Sequence, residues 1–219
     1  MSPVRSRVHR PFTSRAGRAT RLAVFLALLG GCSPLAAQDN AADARRVVEH
    51  LLVKPGMTLA EIGAGSGELT VALARTVGAG GRVYSNEISE SRRVAIRAAV
   101  SHASLTNVTV VEGAPADANL PDDCCDGIFM RNVYHHFADP GRMNQSLWRA
   151  LKPGGRLLII DFPPRRGREA PSSADRDKGG SHGVSAASVQ RELREAGFEI
   201  VSSEDGPSGR WFMVVGRKP

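Results

Sequence analysis

The sequence LAEIGAGSGELT, residues 59–70, decides the fold of this 219-residue chain. Its apolar start predicts a short buried strand over 57–62, and helical spacing resumes over 68–77. Between the two, Gly63, Gly65 and Gly67 allow sharp turns and a close approach of the backbone to a ligand. A strand, a glycine loop and a helix in this order form the first unit of a nucleotide-binding α/β sheet.

The charge and the glycine spacing of this loop distinguish between ligands. In the dinucleotide fingerprint G-x-G-x-x-G the last glycine would stand at position 68, whereas this chain has Glu68 there and Gly67 comes one residue early. Glu61 would cost about 4 kcal/mol against each phosphate charge about 4 Å away. S-adenosylmethionine carries an ammonium and a sulfonium and no phosphate, so an acidic residue before the glycines suits it and argues against NAD.

Strands and helices continue to alternate after this unit. Strand patterns over 82–86 and 107–111 flank a helix pattern over 89–103. Glu87 follows the second strand, about 20 residues beyond the glycines, where a carboxylate can accept hydrogen bonds from ribose hydroxyls. This alternation favours a parallel sheet that is covered by helices on both faces.

Three motifs give the chain a family resemblance. They are the E-I-G-A-G-S-G loop, the N-V-Y-H-H-F run after the strand over 126–130, and the L-K-P-G-G-R-L-L-I-I-D run at 151–161. Together they resemble class I S-adenosylmethionine-dependent methyltransferases of the type that includes ubiquinone and menaquinone biosynthesis enzymes. The resemblance extends over about residues 42–216.

The resemblance implies a fold, a reaction and a set of cofactor contacts. We expect a Rossmann-like three-layer α/β sandwich over 41–219, with a mostly parallel seven-stranded sheet whose last strand is antiparallel. We expect transfer of a methyl group from S-adenosyl-L-methionine to a small-molecule acceptor. The predicted cofactor-binding residues are Glu61, Gly63, Ala64, Gly65, Gly67, Glu87, Ile88, Gly113, Ala114, Arg131 and Asn132.

The turn after the third strand departs from the family pattern. Such methyltransferases often carry a Gly-Asp-Ala-like turn beside the adenine, whereas here Ala114 follows Gly113. This change leaves a backbone N–H for the adenine but removes a side-chain acceptor, and Asp117 lies too far along to replace it.

The acceptor side is assigned to residues that follow the fourth strand and precede the last helix. Tyr134, His135 and His182 are predicted to face the substrate, and His135, His136 and His182 are candidate general bases because histidine transfers protons near neutral pH. A base is needed only if the acceptor must lose a proton, so a simple role at the pocket rim stays open for each histidine. The aperiodic segment 163–183 is predicted either to cover the substrate or to be a solvated excursion.

Further patterns complete the predicted domain. Residues 43–53 read as a helix over the cofactor's rim, with Val47, Val48, Leu51 and Leu52 on its apolar face. A helix over 185–196 with Ser185 as its N-cap precedes a hairpin of strands over 198–202 and 210–215. Cys124 and Cys125 are interpreted as unpaired small apolar residues that enter a strand, and no metal site is predicted.

The first 37 residues are predicted to be a leader and linker. Six arginines and no acidic residue precede the apolar run LAVFLALL at 22–29, which is far below the roughly 20 residues of a membrane span. The run LGGC ending at Cys32 resembles the lipobox of bacterial lipoproteins, in which the cysteine is lipidated. Cleavage after Ala37 and an arginine-rich mitochondrial or non-functional leader stay open, and so does a cytoplasmic location.

The leader also explains the basic charge. Of 29 basic residues six are these arginines, which leaves 23 against 22 acidic ones in the rest of the chain, so the net charge of +7 falls to +1. Charge therefore gives no support to nucleic-acid binding.

The alternatives to a methyltransferase are an exported or membrane-tethered binding protein without catalysis and, less favoured, an NAD-dependent oxidoreductase. The sequence leaves the acceptor and the oligomeric state open.

Overall fold

The computed structural model describes residues 34–164, 170, 172–176 and 182–219, with side chains for all of them except 34–39 and 208. It contains five α-helices and seven strands within these ranges: α1 (Pro34–His50), β1 (Thr58–Ile62), α2 (Glu68–Val77), β2 (Arg82–Glu87), α3 (Glu90–His102), β3 (Val108–Glu112), β4 (Cys125–Arg131), α4 (Pro140–Ala150), β5 (Leu151–Asp161), α5 (Ala186–Glu195), β6 (Glu199–Asp205) and β7 (Phe212–Arg217). The lipobox, Cys32 and much of the segment 163–183 lie outside the described residues.

The strands form one sheet in the order β3-β2-β1-β4-β5-β7-β6. Neighbouring strands from β3 to β5 pair in parallel, and β7 pairs antiparallel with both β5 and β6. The predicted mixed sheet with an antiparallel last strand is therefore confirmed. Strand order reverses between β1 and β4, because the chain first builds outward from β1 to β3 and then returns to β4.

Each face of the sheet has its own hydrophobic core. Along β1, Leu59 packs with α1 and α2 through Val47 and Leu73, whereas Ala60 points to the opposite core. The second core includes Leu147 of α4 and its neighbours from α5. The alternation along one strand thus produces the helix-sheet-helix sandwich that the sequence predicted.

Three details differ from the sequence predictions. Helix α1 begins at Pro34, ahead of the predicted start of the domain at residue 41. Leu52 is not on the apolar face but is 54% exposed, because the helix ends at His50 and Leu52 turns into a left-handed conformation with φ 55°. Cys124 and Cys125 form a disulfide, contrary to the prediction of unpaired cysteines. In a strand, adjacent side chains point to opposite faces of the sheet. Cys124 lies just before β4, so this geometry does not keep its side chain away from that of Cys125.

Candidate active site

A cavity of about 650 Å³ lies at the carboxyl ends of β1, β2 and β4, beside the reversal of strand order. Open α/β sheets place their ligands in this crevice. Nine of the eleven residues predicted to bind the cofactor line it: Glu61, Gly63, Ala64, Gly65, Glu87, Ile88, Ala114, Arg131 and Asn132. Sequence analysis did not identify the further lining residues Asn40, Glu68 and Arg92 as part of the site.

The glycine loop has the backbone that the sequence predicted. Gly63, Gly65 and Gly67 adopt positive φ values of 69°, 59° and 89°. A Cβ on Gly63 would lie 2.5 Å from a methyl group of Val133, whereas one on Gly65 would meet no atom within 4 Å. Gly65 therefore opens the cavity floor to a ligand. Gly67 does not line the cavity; a Cβ there would lie 3.3 Å from Ile96, so this glycine lets α2 approach α3 closely.

Glu61 is a buried carboxyl group in the cavity wall. Only 5% of the residue is exposed, and Thr70 donates a hydrogen bond of 2.5 Å to its Oε2. Desolvation by burial raises the pKa of Glu61 to about 7, although the Thr70 hydrogen bond and the charge of Arg131 act in the opposite direction. A cation in the cavity would favour the charged form of this carboxyl group.

Glu87 holds the second strand end against the glycine loop. Its Oε2 accepts a hydrogen bond from the Gly65 backbone N–H at 3.0 Å, and its Oε1 accepts one from the Ser89 N–H at 3.0 Å. Arg92 lies nearby, with its Nη1 3.8 Å from Glu87 Oε2. Ribose binding by this carboxylate stays a prediction from its place at the strand end.

The turn after β3 differs from its prediction. Ala114 lines the cavity, but its backbone N–H donates to the Asp117 carbonyl at 2.9 Å and is not available for an adenine. Gly113 does not line the cavity; a Cβ there would lie 2.6 Å from the side-chain oxygen of Asn86. The Asp117 carboxylate accepts a hydrogen bond from Ser146 at 2.9 Å, so it does not take the place of the missing acceptor.

Arg131 and Asn132 end β4 at the cavity. Arg131 Nη1 donates to Asn40 at 2.7 Å and to Asp43 at 2.8 Å, which connects α1 to this edge of the sheet. Asn132 has a left-handed φ of 56°, and its N–H donates to Ile160. Asn40, which precedes the predicted helix over 43–53, also lines the cavity, so α1 reaches the cavity's edge through this residue.

Tyr134 does not face this cavity, in contrast to its predicted place beside the substrate. Its side chain is fully buried, its hydroxyl donates to Glu192 at 3.0 Å, and it accepts from Asn144 at 2.8 Å. Burial raises the pKa of the Tyr134 hydroxyl far above its usual range, so the hydroxyl stays protonated. Arg176 pairs with the same Glu192, and these groups form a buried polar network under the last helix.

The three histidines do come together, although sequence positions 135 and 182 are far apart. His135 is 1% exposed and its Nδ1 lies 2.8 Å from Asp161 Oδ1, while its Nε2 lies 3.1 Å from His182 Nε2. His136 packs against His135 with ring centroids 3.9 Å apart and ring planes tilted by 45°, and it alone of the three lines the cofactor cavity. The sequence predictions did not include Asp161 in the site. The feature that could have identified it is an acidic residue at the end of an apolar strand.

The charges of the cavity determine what kind of ligand fits. Glu61, Glu68 and Glu87 line it together with two arginines, of which Arg131 pairs with Asp43 and Arg92 lies beside Glu87. Such a surface suits an adenosyl ligand that carries positive charge and lacks phosphate. S-adenosylmethionine has these properties, so the residues present fit it. Fold and site together therefore define the class I S-adenosylmethionine-dependent methyltransferase type.

Comparison with known proteins gives the same family. Residues 60–159 match the model of the methyltransferase domain family. The chain is 31% identical over 119 residues to the ubiquinone/menaquinone biosynthesis C-methyltransferase UbiE of Marinomonas sp., covering 54% of this chain and 47% of that protein. For the UbiE protein of Vibrio vulnificus (strain YJ016) the identity is 32% over 110 residues, covering 50% and 42%.

A solved structure of similar fold extends this comparison to most of the chain. A SAM-dependent methyltransferase from Aquifex aeolicus aligns with a TM-score of 0.68 and 26% identity, covering 81% of this chain and 90% of that one. The prediction of a class I S-adenosylmethionine-dependent methyltransferase with that cofactor is thus confirmed at the level of family and fold, and NAD is not favoured. The chain spans about half the length of the curated relatives it matches. Within the described residues, none of the helices has the length and apolarity to cross a membrane.

Proposed function

We propose that this protein transfers a methyl group from S-adenosylmethionine to a small-molecule acceptor in the cavity between β1 and β4. The observation that carries the proposal is the buried Glu61 in the cavity wall beside a glycine loop that is open to a ligand. The cofactor supplies an electrophilic methyl group on its sulfonium. The protein's part is to hold the cofactor, to align the acceptor at about 3 to 3.5 Å and to exclude water.

The wall of the cavity that follows β4 supports an acceptor with an apolar part. Val133, Phe137, Ala138 and Met143 line it there, next to His136. Ser173 donates a hydrogen bond of 2.7 Å to the Ala138 carbonyl, so part of the segment 163–183 borders this wall. Pockets for small molecules typically combine such apolar surface with a few polar groups.

The test separates the cofactor from the reaction. Calorimetric titration with S-adenosylmethionine, S-adenosylhomocysteine and NAD should show binding of the first two and none of NAD. Binding of NAD alone would contradict the proposal. A labelled-methyl assay against a metabolite extract should then show transfer, whereas tight cofactor binding without transfer to any component would favour a binding protein that lacks catalysis.

We also propose, from the leader alone, that the protein is exported and anchored to a membrane through a lipidated Cys32. The arginine-rich start, the short apolar run and the LGGC sequence support this proposal. Expression of the full chain in a bacterium with a radiolabelled fatty acid should label the protein, and Cys32→Ala should abolish the label. Equal labelling of both would contradict anchoring at this residue.

A further inference from the structure

The three histidines beside the cofactor cavity form a compact group of potential metal ligands. One ring nitrogen from each of His135, His136 and His182 lies within 4.8 Å of the others. The Nε2 atoms of His135 and His182 are 3.1 Å apart. Tetrahedral zinc with Zn–N bonds of about 2.0–2.1 Å separates its nitrogen ligands by about 3.3 Å, so this pair already has the spacing of two zinc ligands.

Asp161 fixes the orientation of one of these histidines. Its Oδ1 lies 2.8 Å from His135 Nδ1, so the neutral imidazole carries its proton there and its Nε2 lone pair points toward His182. Histidines that bind metals usually donate their other ring N–H to a carboxylate in this way, which fixes the tautomer and makes the ligand more basic. The Asp161 side chain is itself fixed, because the backbone N–H groups of His135 and Phe162 donate to it at 3.1 and 2.8 Å.

The charge of Asp161 gives a second reason for a cation. The side chain has no exposed surface, and in the described part of the chain its only ion-pair partner is His135, with no lysine or arginine within reach. A buried carboxylate is costly unless it is paired with a positive charge. A divalent ion on the far side of His135 would supply that charge through the imidazole.

We propose that His135, His136 and His182 bind a zinc-type divalent transition metal ion, with Asp161 as the positioning residue behind His135. Three imidazole nitrogens suit such ions, and three protein ligands leave one coordination position open, as in catalytic rather than structural zinc sites. His136 lines the cofactor cavity, so the ion lies at its margin. An ion there lowers the pKa of a bound hydroxyl or thiol. Metal binding itself does not rest on the proposed function. The effect on an acceptor does, and it points to acceptors that carry a hydroxyl or thiol group.

The first test measures metal binding without an activity assay. The full chain, purified through a tag without histidine, is stripped with a chelator, incubated with zinc and desalted; we expect it to retain about one zinc ion per chain by mass spectrometry. His182→Ala and His136→Ala should lose this retention, whereas the exposed His102→Ala on α3 should keep it. Circular dichroism checks that each variant is folded.

A second measurement protects the test against simple loss of structure. Cobalt replaces zinc and gives a strong visible absorption when it is held in a tetrahedral site. The wild type should show this absorption on titration, and Asp161→Asn should weaken the affinity by about 10- to 100-fold while the spectrum persists at saturation. A role of Asp161 in folding alone would leave the affinity of the folded variant unchanged.

Two results would overturn the proposal: a folded wild type that retains no zinc, or equal retention in the His182→Ala and His102→Ala variants. Calorimetry with S-adenosylmethionine on the same samples keeps the two proposals apart. Cofactor binding without metal retention removes the metal site and leaves the proposed function, and metal retention without cofactor binding does the reverse.

Discussion

Glu61→Gln tests the electrostatics of the cavity in the absence of any ligand. Burial raises the pKa of the Glu61 carboxyl from 4.5 to about 7. Between these values the folded protein keeps a proton that the unfolded chain releases, so the stability contributed by this group is fully present below pH about 4.5 and is lost as the pH rises to about 7. At about 1.4 kcal/mol per pH unit, the loss amounts to about 3 kcal/mol.

Glutamine has the shape of the protonated carboxyl group and does not titrate. The variant should therefore be more stable than the wild type at high pH, and its advantage in the free energy of unfolding should grow by about 2 kcal/mol between about pH 5 and about pH 8. Urea unfolding at both pH values, followed by the fluorescence of Trp148 and Trp211, measures this difference. Comparing the two proteins at each pH cancels the titration of the histidines.

Glu68→Gln is the matched control for this measurement. Glu68 lines the same cavity and its removal changes the charge equally, but the residue is exposed. Its effect on the free energy of unfolding should stay within about 0.5 kcal/mol at both pH values. A pH-independent difference for Glu61→Gln, or an equal pH-dependent one for Glu68→Gln, would refute the argument from burial.

The same carboxyl group should make cofactor binding depend on pH. If a cation in the cavity favours charged Glu61, binding below pH 7 must displace a proton from this carboxyl group. The affinity for S-adenosylmethionine should then fall by about tenfold for each unit by which the pH is lowered below 7. Glu61→Gln should bind more weakly and lose that part of the pH dependence. S-adenosylhomocysteine lacks the sulfonium but keeps the ammonium, so an equal pH dependence for both ligands would identify the ammonium as the group that Glu61 stabilises. Calorimetry that gives the variant the affinity and pH profile of the wild type would contradict the role of Glu61.

Two further pairs of variants test the cavity floor and the buried polar network. Gly65→Ala and Gly209→Ala place the same methyl group at φ values of 59° and 61° with no atom within 4 Å, so both should cost about 1 to 2 kcal/mol of stability by thermal unfolding. Only Gly65→Ala should weaken cofactor binding in calorimetry, and a similar loss in both would argue against Gly65 as the floor. Arg176→Ala leaves the buried Glu192 carboxylate without its main partner and should cost about 3–5 kcal/mol in urea unfolding. Arg191→Ala removes an exposed partner of the same carboxylate and should cost less than about 1 kcal/mol, and equal losses would show that burial does not decide the cost.

Much of the fold was predictable because local sequence patterns indicate where its helices and turns begin and end. The helix over 68–77 has the bounds that its periodicity predicted, and Ser185 caps α5 by accepting a hydrogen bond from the Ser188 N–H at 3.1 Å. The positive φ values of the glycine loop are ones that glycine adopts without steric cost. The end of α1 was less predictable, since Leu52 continues the apolar pattern but lies beyond the point where the helix stops.

The site was predictable where strand ends define it and not where tertiary packing does. Glu61 is the last residue but one of β1 and Glu87 is the last of the parallel neighbour β2, so both had to lie at the same edge of the sheet. Tyr134 belongs to the same run of sequence as His136, yet the 3₁₀ turn over Tyr134–His136 sends its ring into the core while His136 remains at the cavity. The spacing of apolar residues shows which face of a long helix is buried, but a turn of three residues is too short for such a pattern to show which side chain faces the core.

This division explains why the cofactor is easier to infer than the acceptor. The cofactor side is built from the ends of β1, β2 and β4, whose positions follow from the order of the strands. The proposed acceptor side depends on how the chain returns from β5 to α5. Among the described residues there, the Val184 N–H donates a hydrogen bond to the Phe162 carbonyl at 3.1 Å, which keeps the end of the segment next to Asp161. His182 lies beside His135 across 46 intervening residues, and nothing in the sequence near one of them indicates the other. The chemistry at the acceptor therefore depends on tertiary contacts rather than on sequence motifs. Variants of His182 and Asp161 test that chemistry more directly than the motifs do.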